Sequence, residues 1–114
     1  MKVTAGFFDL AGVSEYMSIS DRRAEIDAID KELLRLLNTR ARLAVKVGEF
    51  KRDAGLSVSD RAREREVIEG ACRGNTGPLD ERAVARLFRC IIRESRLVET
   101  LAIEQSSAPQ KENL

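Results

Sequence analysis

Two apolar helical stripes in this sequence carry polar residues where the pattern calls for apolar ones, and these are the residues that could do chemistry. In the first series, Leu33, Leu36, Arg40, Ala44, Val47 and Lys51 keep helical spacing, but two members are cations. Arg40 and Lys51 lie eleven residues apart. At about 100° per residue this is about 20° past three full turns, so both point to the same side of a helix. In the second series, Phe88, Ile92, Ser95 and Glu99, the last two stand one turn apart on the inward face. Between the two, Asp60, Arg63 and Glu64 stand above Val67 and Ile68 on a shorter segment. One reading is a polar cavity inside a helical bundle, rich in cations and suited to a small anion. The other is plain surface chemistry, with Arg40 and Lys51 snorkelling at the edge of a stripe and Glu99 on its rim. A cluster of buried charges is costly unless paired or liganded, and protein acids could do the pairing, so spacing leaves both readings open.

Arg23 stands apart. It precedes Arg40 by seventeen residues, which turns it about 100° off that face. Within one chain it cannot easily share a pocket with Arg40, but in an intertwined dimer it could reach the partner's pocket. A solvated arginine near a helix start is the alternative.

The elements that must position these residues are helices. The 114 residues suffice for one domain and are too few for two. Charged residues make up 34%, aromatics 4%, and Gly and Pro are scarce, which points to an all-α fold. A stripe from Ile26 through Ile29, Leu33, Leu36, Leu37, Leu43 and Val47 to Phe50 predicts one very long first helix, from about Ser20 to about Arg52, with Ser20 or Asp21 as N-cap and Gly55 just past its end. Such a helix is roughly 45–50 Å long at 1.5 Å per residue. It would overhang a compact monomer of this size, whose radius of gyration is near ~13 Å. The expected remedy is a second copy, giving a three-helix protomer in an intertwined helical homodimer. A second helix is predicted from about Ser59 to Cys72. A third, capped by Asp80, is predicted to run to about Glu104 through Val84, Leu87, Phe88, Ile91, Ile92, Val98 and Leu101. Residues 1–19 read as an N-terminal extension, 20–105 as the domain, and 106–114 as a disordered polar tail.

Composition excludes several classes of function. There is no histidine, hence no His general base, no Ser-His-Asp or Cys-His machinery and no His metal ligand. Twenty cations against nineteen acids give a net charge of +1, interleaved along every helix, which argues against a nucleic-acid or anionic-membrane partner. Cys72 and Cys90 are too few for a disulfide framework and read as reduced thiols. The N-terminus lacks the continuous apolar stretch of a signal peptide, and no apolar run approaches the ~20 residues of a membrane span. The chain is expected to be cytoplasmic. No second domain is read here, so a fused dehydratase, dehydrogenase or synthase is expected to be absent from this chain.

The run RAEIDAIDKELLRLLNTRARLAVKVGEFK resembles the opening helix of the all-helical (type II) chorismate mutases, in its Ile-Asp-x-Ile-Asp start, its Leu-Leu-x-x-Arg centre and its Val-x-x-Lys end. SDRAREREV is similar to their second helix and LFRCIIRESRLVE to their third. The likeness spans about residues 20–104 and extends to the mutase domain of bifunctional P-proteins. It implies an isomerase that rearranges chorismate to prephenate in phenylalanine and tyrosine biosynthesis, the shikimate-derived branch. That reaction is an intramolecular Claisen rearrangement needing no cofactor and no metal. By the same resemblance Arg40 is a carboxylate-binding arginine, and Arg23 is the arginine contributed by the other subunit. Arg63 and Ser95 stand near the substrate carboxylates, and Lys51 donates to the ether oxygen. Glu64 accepts from the ring hydroxyl, with Asp60 as a supporting acid beside it. Glu99 falls where the family has Gln or Glu against the ether oxygen. A carboxyl must be protonated to donate there, so Glu99 is expected to act as the neutral acid, its pKa raised by burial.

Two rivals share these residues. An isochorismate pyruvate-lyase has the same fold, but as the resemblance implies it lacks the acid at Glu64. A non-catalytic helical dimerisation or regulatory module would leave the matched polar positions without a role. A separate enzyme of the aromatic pathway is a possible partner.

Overall fold

The computed structural model describes residues 18–107, and in them the chain forms three helices: α1 (Ile19–Asp53), α2 (Arg61–Arg73) and α3 (Glu81–Ser107). The predicted elements stand, with shifted ends. α1 starts one residue early because its cap is Ser18, where the spacing predicts Ser20 or Asp21. The Asp21 amide donates to Ser18 Oγ at 3.0 Å while the Ser18 amide donates to Asp21 Oδ2 at 3.2 Å, a reciprocal capping box. At its other end the Leu56 amide reaches the Lys51 carbonyl at 2.7 Å and the Gly55 amide the Arg52 carbonyl at 3.1 Å. Gly55 has φ +73°. This is the Schellman arrangement, and it requires the left-handed backbone that glycine adopts without strain.

α2 begins two residues later than the spacing predicts, because Asp60 is its cap: Asp60 Oδ1 accepts from the Arg63 amide at 3.0 Å. Asp80 caps α3 as expected, accepting from the Ala83 amide at 2.8 Å. α3 extends to Ser107, so Ser106 and Ser107, which the sequence places in the polar tail, are helical. Ser106 Oγ donates back to the Ile103 carbonyl at 3.0 Å, and Arg52 donates to Ser106 Oγ, which ties down that last turn. The rest of the tail and residues 1–17 lie outside the described residues.

The chain divides into two compact units, Met1–Leu36 and Leu37–Leu114, with the division inside α1. In the first, the described residues are the opening turns of α1, braced by i,i+3 ion pairs between Arg22 and Glu25 (3.0 Å) and between Glu32 and Arg35 (2.5 Å). The second holds the end of α1 together with α2 and α3, which pack on each other. Its buried residues include Val84 and Ala85, but also Gly48, Ser95 and Glu99, so two of the best-protected side chains are polar. Much of the apolar stripe of α1 is left uncovered, with Ile29, Leu33 and Phe50 at 64%, 50% and 69% exposure. No helix among the described residues is long and apolar enough to cross a membrane. Cys72 and Cys90 are free thiols.

Candidate active site

All the site candidates except Arg23 meet in the second unit. There, a cavity of about 330 Å³ opens among the end of α1, the start of α2 and the middle of α3. Arg40, Lys51, Asp60, Arg63, Glu64, Ser95 and Glu99 all line it. Leu43, Val47, Val67 and Ile92 supply apolar wall between them. That volume lies at the lower end of the range for small-molecule sites. Arg23 belongs to the first unit, on the second turn of α1, and is not among the lining residues.

Every one of these polar groups except Glu99 has a partner within the protein. Arg40 is half-buried, and its Nη1 donates to Ser95 Oγ at 3.0 Å. Ser95 is 6% exposed. Lys51 Nζ lies 3.8 Å from Asp60 Oδ2. Asp60 therefore does two things with its two oxygens, capping α2 through one and facing the lysine through the other. Glu64 is paired with Arg96 of α3. Arg63 lines the cavity, yet its guanidinium donates to Glu66 at 2.9 Å on the exposed face of its own helix.

Glu99 is 9% exposed and forms no hydrogen bond or ion pair among the described residues. Burial raises its pKa above the ordinary carboxylate value, because desolvation penalises the charged form. Lys51 and then Arg96 oppose the rise through their charge. The carboxyl is thereby biased toward the protonated form, in which it is a donor as well as an acceptor.

Charge balance follows from the pairs. Among the described residues Lys51 faces Asp60, Arg96 faces Glu64 and Arg63 faces Glu66, while Arg40 has a hydroxyl for its partner and no carboxylate. The cavity therefore carries a guanidinium paired to no carboxylate, with a lysine and the buried Glu99 carboxyl also on its wall. A planar fork of N–H donors of this kind suits a carboxylate.

Two residues, Arg96 on the cavity wall and the buried Gly48, escape a reading by spacing. Arg96 directly follows the inward Ser95, so periodicity puts it on a solvated helix face. Its neighbour across the cavity, Glu64, is what turns it inward, and no spacing within α3 signals that. Gly48 lies inside the Val-x-x-Lys run and reads from the sequence only as a weak helix residue, yet it is the buried residue of α1.

A helical chain with a small, part-apolar cavity, an arginine paired to no carboxylate and a buried carboxyl has the chemistry to suit a small organic anion. Residues 22–100 match the family described as chorismate mutase type II, and the chain belongs to that family. It is 42% identical over 78 residues to a bifunctional chorismate mutase/prephenate dehydratase of Aquifex aeolicus, an alignment covering 65% of this chain and 22% of that protein. The chain thus spans about a fifth of the length of the bifunctional relatives it matches. It is 26% identical over 96 residues to a chorismate mutase of Methanocaldococcus jannaschii, covering 82% of this chain and 95% of that one. A chorismate mutase structure from Thermus thermophilus (form II) superposes with a TM-score of 0.70 at 33% identity, covering 72% of this chain and 93% of that one.

Proposed function

We propose that this chain is a chorismate mutase, converting chorismate to prephenate without cofactor. The observation that carries the reading is the Arg40 guanidinium, paired to no carboxylate and set in one cavity with Lys51 and the buried Glu99. The reaction is a [3,3]-sigmatropic shift within one molecule: the ether C–O bond breaks as a new C–C bond forms, and no proton or electron leaves the substrate. A protein without histidine can run it, because the work is to hold a dianion in its folded, reactive conformer and to stabilise negative charge growing on the ether oxygen.

In this reading Arg40 grips one substrate carboxylate, with Ser95 holding the guanidinium in place, and Arg63 swings from Glu66 to a carboxylate when substrate arrives. Lys51 donates to the ether oxygen and is positioned by Asp60. Protonated Glu99 donates to the same oxygen from α3. Glu64 accepts from the ring hydroxyl while Arg96 holds it. We take residues 20–105 as the functional domain, working in the cytoplasm, where two free cysteines are at home.

We further propose a homodimer with two identical sites, each completed by Arg23 of the other copy. The uncovered α1 stripe supports this. Ile29, Leu33, Leu36, Val47 and Phe50 are each at least 49% exposed, an apolar face of the kind a second copy would cover.

The direct test is the loss of chorismate absorbance and the appearance of prephenate on adding purified protein. Pyruvate released from isochorismate, with no prephenate from chorismate, would replace this reading by the lyase. No turnover of either substrate would leave the dimerisation module.

A further inference from the structure

We propose that Gly48 is a positioning residue for Glu99: the bare backbone of α1 at Gly48 forms the seat on which the Glu99 side chain lies, and it sets where that carboxyl meets the substrate. The inference rests on the mutase reading for its consequence in catalysis, but its geometry stands independently of it.

Gly48 sits in the interior of α1, where glycine costs about 0.5–1 kcal/mol relative to alanine. Nothing in its backbone requires glycine, since Gly55 is the glycine with positive φ among the described residues. What a larger residue would displace is a side chain from another helix. A Cβ built on Gly48 would fall on Glu99 Oε2, and would lie 2.6 Å from Cγ and 2.7 Å from Cδ of the same side chain. Three atoms of one residue therefore occupy the space a methyl group would need. The other glycine within a helix, Gly70 of α2, has a single side-chain atom near its absent Cβ, Arg73 Nη2 at 3.9 Å.

Two consequences follow for Glu99. Its side chain lies against the bare backbone of α1 at Gly48, consistent with its burial. It is also fixed along α1 one turn before Lys51, so that the two groups assigned to the ether oxygen share one frame. The charged groups around the same cavity are Arg40 and Lys51 on α1, Asp60, Arg63 and Glu64 at the start of α2, and Arg96 on α3. The atoms nearest a methyl group at Gly48 would be those of Glu99.

The test compares Gly48→Ala with Gly70→Ala in the full chain. Carbon-13 NMR of the glutamate carboxyls, with Glu99 assigned by its absence in Glu99→Gln, gives a readout that needs no turnover. Gly48→Ala is expected to move the Glu99 titration midpoint down toward the ordinary carboxylate range and to lower kcat by about 10²-fold, the scale of a misplacement near 1 Å. Gly70→Ala is expected to leave both unchanged. A midpoint and kcat in Gly48→Ala that match wild type overturn the proposal. If wild type has no mutase activity, the NMR arm still decides the seat, and the mutase reading fails separately.

Folding is covered by a double-mutant cycle in thermal or denaturant unfolding. In wild type Gly48→Ala is expected to destabilise, because Glu99 must be displaced. In a Glu99→Ala background, with the side chain gone, the same substitution is expected to stabilise, as alanine does in an open helix. If Gly48→Ala destabilises equally in both backgrounds, or if both proteins fail to fold, the glycine serves some other contact and the proposal falls.

Discussion

Arg40 Nη1 donates to Ser95 Oγ at 3.0 Å, joining two residues 55 positions apart across the cavity. The hydroxyl orients the guanidinium without neutralising it, which leaves the full charge for a ligand. Arg40→Ala is therefore expected to lower kcat/KM by about 10²–10³-fold, the loss seen when one charge-stabilising donor is removed. Ser95→Ala should act more mildly, by about tenfold or about 1.4 kcal/mol, and chiefly through KM. Steady-state kinetics on chorismate checks both, with circular dichroism to show that the helices persist.

Activity is expected to depend on pH, with Glu99 as the proposed donor. Its pKa is raised, so the donating form is lost as pH climbs through that raised value, and kcat should fall on the alkaline side. Glu99→Gln keeps a donor at every pH and should flatten the fall. A profile that keeps the parent's slope would remove Glu99 from the donor role.

The same shift has a consequence for stability. A carboxyl whose pKa is higher folded than unfolded holds its proton more tightly in the native state. Stability is then greatest below the unfolded value and declines as pH rises from there through the folded value. Glu99→Gln should erase that decline, so its unfolding midpoint should exceed wild type at neutral pH and approach it in acid. Denaturant titrations at several pH values measure the difference.

Arg96 lowers the Glu99 pKa and pairs with Glu64. Arg96→Gln should therefore move the alkaline fall in kcat to higher pH, while freeing Glu64 and raising KM. A pH–rate profile of this variant separates the two effects, since the first shifts an inflection and the second changes affinity.

Gly55 offers a check on the fold alone. At φ +73° with no atom within 4 Å of its absent Cβ, Gly55→Ala meets only backbone strain. It should destabilise by about 1–2 kcal/mol with kinetics otherwise intact. Thermal unfolding reports it directly.

Mixed subunits test the shared site. Arg23→Ala and Arg40→Ala chains, each expected to be strongly impaired alone, should regain activity on subunit exchange, because one site of every heterodimer would hold both arginines. No recovery after demonstrated exchange would put Arg23 outside the site.

Periodicity carries the reading of this sequence a long way. The three helices, the alignment of Arg40 with Lys51 and the inward pair Ser95 and Glu99 are all legible in spacing, because a helix has one fixed angle per residue. Gly55 and Asp80 are legible for a similarly local reason, since capping chemistry belongs to particular residue types. Spacing says where a side chain points around its own axis; it does not say what stands opposite. Only the packing of α1, α2 and α3 decided that Asp60 caps one helix while facing a lysine on another, that Arg96 turns inward to Glu64 and that Arg63 turns outward to Glu66. Packing also decided that Gly48 is the floor beneath Glu99. These are contacts between helices, and their energies depend on distances that no single helix contains.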